Sequence, residues 1–94
     1  MPLYLAELYC KDGFRRGCDV ISRALAAGFP PGVTLRAGPW ASNEDAKLVM
    51  VMDIQDHALT FAPFINALAQ GIFAKRRLTP IVTWSTVDNA RKES

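Results

Sequence analysis

The stretch Lys47 to Ile54 (KLVMVMDI) limits the fold more than any other part of this chain. From Leu48 to Met52 it is unbroken apolar, so a strand here presents apolar side chains to both faces of its sheet. Leu3 to Cys10 (LYLAELYC) has the same character, with Glu7 the only charge. Strands of this kind belong in the interior of a sheet, and the chain has 94 residues with which to cover them. That length supports one domain, and a chain so short buries only roughly 60–65% of its unfolded surface.

The remaining elements follow from punctuation and period. Lys11-Asp12-Gly13 breaks the first strand, with Asp12 expected as the cap of a helix. Phe14, Cys18, Ile21 and Leu25 form its apolar stripe, and Gly28 with Pro30-Pro31-Gly32 ends it. Val33 to Trp40 reads as a second strand, and Ser42-Asn43-Glu44-Asp45 as a polar turn before the third. A second helix is expected over Thr60 to Phe73, burying Phe61, Phe64, Ile65, Leu68 and Ile72. Pro63 then lies in its first turn, or kinks it if it begins at Asp56. Leu78 to Trp84 is expected as the last strand, with a polar tail over residues 88–94.

The resulting order is βαββαβ, whose compact solution is an α+β, ferredoxin-like sandwich. Two helices cover one face of a four-stranded antiparallel sheet. Pro39 and Pro80 fall inside the second and fourth strands, and a proline cannot donate to a sheet ladder. Both strands therefore belong at edges, as in the order 4-1-3-2. The two helices leave one face uncovered. Either orientation of the first and third strands exposes large apolar groups there, which marks an interaction surface. A two-fold homodimer is the commonest way to bury such a face.

In this pattern the chain resembles the dimeric α/β-barrel superfamily, in which two ferredoxin-like sheets pack face to face. The resemblance covers about residues 3–87 of a single domain spanning 1–94, and rests on element order, two-faced central strands and Trp84 at the end of the last strand. It points to the small bacterial members of unknown function. The superfamily also includes cofactor-free monooxygenases, isomerase-like proteins and haem-degrading enzymes. Their catalytic residues differ from one another and none of their signatures occurs here, so no site residue follows from the resemblance.

The residues themselves suggest a pocket between the paired sheets, with Glu7, Tyr9, Arg36 and Trp40 as ligand-binding candidates and Thr79 and Thr83 beside them. Glu7 on a central strand is a candidate general base, or else the partner of Arg36 or of a basic group across the dimer. His57 is the second catalytic candidate. Two cysteines, one histidine and no CxxC supply no zinc spacing, and no cofactor motif is present. Eleven Lys and Arg against nine Asp and Glu, with one cluster at Lys75-Arg76-Arg77, give no nucleic-acid face. Base-stacking aromatics are missing from the third strand. The run His57–Ala74 lacks Asp, Glu, Lys and Arg but is interrupted by polar residues, Pro63 and Gly71, so no membrane span is expected. No signal-peptide core precedes Glu7, and the protein is expected in the cytoplasm. Three functions fit: a dimer binding a small, mostly apolar molecule; a cofactor-free monooxygenase or isomerase-like enzyme; and a dimerisation module without a ligand.

Overall fold

The computed structural model describes residues 2–42 and 44–93, so Met1, Ser94 and Asn43 of the expected polar turn lie outside the described residues. The elements are β1 (Leu3–Cys10), α1 (Phe14–Ala27), β2 (Val33–Ala41), β3 (Lys47–Ile54), a 3-10 turn (His57–Thr60), α2 (Phe61–Ala69), β4 (Phe73–Ile81) and α3 (Trp84–Glu93). The strands form one antiparallel sheet in the order β2-β3-β1-β4, the expected 4-1-3-2 read from its other edge. Pro39 and Pro80 sit on the two edge strands, where a missing N–H interrupts no central ladder.

Strand alternation sorts the sheet into two faces. Ala6, Cys10, Leu48, Met50, Met52 and Ile54 turn towards α1 and α2 and are buried. Between them Leu3, Leu5, Glu7 and Tyr9 of β1 and Lys47, Val49 and Val51 of β3 point to the open face, each half-buried by its neighbours in the sheet. Register places Lys75, Arg77, Thr79 and Ile81 of β4 beside Tyr9, Glu7, Leu5 and Leu3.

Several expectations change. The last strand begins at Phe73 and ends at Ile81, because β1 offers it a pairing partner along its whole length, from Leu3 opposite Ile81 to Cys10 opposite Phe73. Trp84 then starts α3, and the expected polar tail is the second half of that helix. Every described residue of α3 is exposed except half-buried Asp88, which pairs with Arg91 and Lys92. Helix α2 is also shorter than expected. It ends at Ala69, and Gly71 at φ 72° lets the chain turn back so that the Ile72 N–H donates to the Ala67 carbonyl. It turns Phe64 and Ala67 inward, while Phe61, Ile65 and Leu68 are exposed. Finally, Gly13 precedes α1 with no side-chain cap, so Asp12 does not cap it. Gly17 and Ile21 are buried, and Cys18 and Leu25 are not.

Gly17 explains how α1 comes close to the sheet. A Cβ at this position meets Cys10 Sγ at 2.7 Å and Phe73 Cε1 at 3.0 Å. Gly17→Ala gains about 1 kcal/mol of helix propensity but overpacks a seam, which typically costs about 1–3 kcal/mol. We expect net destabilisation of about 1 kcal/mol in urea unfolding, shrinking when Cys10→Ala removes the sulfur. A Gly17→Ala protein more stable than the wild type contradicts this packing.

Candidate functional site

Each face of the sheet carries one arrangement of polar groups. On the open face β3 places Lys47 beside β1, where its Nζ donates to Glu7 Oε2 at 2.6 Å. The side chains are 19% and 12% exposed, so this ion pair is partly shielded from water. Tyr9 lies between two cations, with Lys75 Nζ 4.5 Å and Lys47 Nζ 5.3 Å from its ring centroid. Arg77 is opposite Glu7 on β4. At the other end of the same face Asp53 is buried, and its Oδ2 has no hydrogen-bond partner among the described residues. The open face is thus basic at one end, apolar across Leu5, Val49 and Val51, and acidic at Asp53.

Of the expected ligand-binding residues, Glu7 and Tyr9 come together here. The charge partner of Glu7 is Lys47, not Arg36. Arg36 and Trp40 are on edge strand β2, in a stretch with two register irregularities, and both are exposed. Thr79 is on the open face, whereas Thr83 lies past the end of β4 and bonds to Ser85 and Thr86. His57 is exposed in the 3-10 turn beyond the Asp53 end of β3, so the two catalytic candidates are not brought together. No group of three His, Cys, Asp or Glu able to hold a metal occurs among the described residues. No described helix is long and apolar enough to cross a membrane.

The other arrangement lies between the sheet and the helices. A cavity of about 290 Å³ opens among Ala6, Met50, Met52, Ala24, Phe64 and neighbouring residues. Thr60 and Arg76 are the two polar side chains in its lining. Strand alternation turns Arg76 to this face, between Lys75 and Arg77 on the other. Its Nη1 donates to the Thr60 carbonyl at 3.0 Å and to Thr60 Oγ1 at 2.5 Å, and its Cζ stands 4.9 Å from the Phe64 ring centroid. Thr60 Oγ1 in turn donates to the His57 carbonyl at 2.8 Å. Burial lowers the Arg76 pKa from its usual value, and the guanidinium stays charged at neutral pH.

Comparison of the chain with protein-family models, with curated proteins and with solved structures finds no match. The chemistry therefore rests on this geometry. Glu7 accepts a charge-assisted bond from Lys47, and no carboxylate or histidine side chain lines the cavity among the described residues.

The Glu7–Lys47 pair sets a pH dependence. The hydrogen bond to Glu7 is the largest cause raising the Lys47 pKa above 10.5; loss of hydration opposes it, and the negative charge of Glu7 adds to it. A raised lysine pKa stabilises the fold fully below the unfolded value, and that contribution is lost as pH rises through the folded value. Comparing urea midpoints, we expect the advantage of the wild type over Lys47→Met to hold at about pH 8 and to shrink above about pH 10.5. An advantage unchanged at high pH contradicts a role for the ammonium.

Proposed function

We propose that this chain is a homodimer that binds a small, mostly apolar molecule, held in the cavity between its sheet and its helices. The cavity carries the reading: it is apolar except at Thr60 and Arg76, and its volume of about 290 Å³ is at the small end of ligand pockets. A pocket between two sheets, lined by Glu7 and Tyr9, has less support, since the Glu7–Lys47 pair and Lys75 occupy that end of the open face.

The open face fits a second copy of the same chain. Along β3 it reads Lys47, Val49, Val51, Asp53, a sequence that is its own complement when reversed. Two sheets placed face to face about a two-fold axis perpendicular to their strands set Lys47 against the partner's Asp53 and Val49 against the partner's Val51. An axis along the strands instead sets the basic ends against each other. The free thiols of Cys10 and Cys18 suit a reducing compartment, so we assign the protein to the cytoplasm.

Native mass spectrometry of the protein as purified is expected to show a dimer, and Val51→Asp is expected to show a monomer. For the cavity, Ala24→Phe fills the space from α1. We expect it to weaken binding of a neutral apolar dye by about tenfold or more without loss of the dimer. A monomeric wild type overturns the dimer, and dye binding unaffected by Ala24→Phe overturns the cavity as the site.

A further inference from the structure

The charge of Arg76 is unanswered. The three ion pairs among the described residues are Lys47–Glu7, Arg91–Asp88 and Lys92–Asp88, and none involves Arg76. Its two hydrogen bonds, to the carbonyl and hydroxyl of Thr60, both leave from Nη1. A guanidinium carries five N–H donors in a planar fork, so the Nε and Nη2 donors have no acceptor among the described residues. Neither nitrogen is sealed off from solvent-sized space. The fork therefore has an anchored side and an open side, and Arg76 is one of the residues lining a cavity that is apolar apart from it and Thr60. A half-buried cation loses part of its hydration with no counter-ion in exchange, and Lys75 and Arg77 beside it in the chain add positive potential.

Resting on the reading of this cavity as the ligand site, we infer that the ligand is an apolar monocarboxylate whose head group is bound by the free donors of Arg76. A carboxylate matches the fork in plane and spacing, which lets two parallel hydrogen bonds form. The size of the cavity limits the body. At about 30 Å³ for each water-sized unit, it has room for roughly ten non-hydrogen atoms. Methionine side chains at Met50 and Met52 adapt to unbranched or irregular apolar shapes. Thr60, tied to the His57 carbonyl, and the face of Phe64 hold the guanidinium at the cavity wall. Arg76 is a binding residue here, and no bond in the ligand is made or broken.

The test is isothermal titration near neutral pH with octanoate and octanol, which share an apolar chain and differ in the charged head. We expect the wild type to bind octanoate about tenfold or more tightly than octanol. Arg76→Met, which keeps an apolar stem, is expected to abolish the preference, so that octanoate binds no more tightly than octanol to the same variant. Arg76→Lys, a point charge without the fork, is expected to keep part of the preference. Equal binding of the two by the wild type overturns the carboxylate assignment while the apolar cavity stands. A preference that survives Arg76→Met also overturns it and puts the head group elsewhere. If neither compound binds, the cavity reading and this inference both fail. The wild-type comparison needs no variant, so the inference stays testable even if Arg76→Met does not fold.

Discussion

The pairing of β1 with β3 in the middle of the sheet is the constraint on which the rest of the structure depends. Both strands carry apolar residues on both faces, and at roughly 25 cal/mol for each Å² of apolar surface neither face can be left to water without loss. Two helices cover only one side of four strands. The prolines of β2 and β4 then find the only positions where they do no harm, at the edges. The uncovered side is left with a band of Leu5, Val49 and Val51 between charged ends.

Strand alternation gives the two faces different chemistry. It divides the basic triplet on β4, sending Lys75 and Arg77 to the open face and Arg76 to the helix side. On the open face the charges surround a flat apolar band, which suits association. On the helix side one cation is fixed at the wall of an apolar space, which suits a small ligand. A dimer through the open face leaves the cavity on the far side of each sheet unobstructed, so association and binding do not compete for surface.

Much of the fold was legible in the residues. The unbroken run of β3 set its bounds from Lys47 to Ile54, and Pro39 with Pro80 set the strand order. The start of β4 was not legible: Phe73 to Arg77 continues the apolar run of α2 into three charges, and only pairing with β1 makes it a strand. Because that start was placed five residues late, the triplet appeared to flank the strand, and Arg76 was not assigned to the helix side. With the strand extended back past the triplet, the alternation Arg76, Leu78, Pro80 puts it there, and the bulge opposite Tyr9 and Cys10 lets Phe73, three residues before Arg76, share that side. The buried side of α2 was also hidden: Phe61, Phe64, Ile65 and Leu68 recur at i, i+3, i+4 and i+7 as one apolar stripe, yet the helix turns only the Phe64 edge of that stripe inward, with Ala67 beside it, and leaves the rest exposed. For α3, Trp84 looked like the end of a strand, and the Asp88 pairs with Arg91 and Lys92 that support a helix came from residues expected to be a tail.

Methyl NMR separates the two faces in one experiment. The side chains of Met50 and Met52 line the cavity, and those of Val49 and Val51 point to the open face. On titration with octanol, the account predicts that the Met50 and Met52 methyl resonances move and saturate together while those of Val49 and Val51 stay in place. Movement confined to Val49 and Val51 puts the ligand between two sheets and contradicts the central claim.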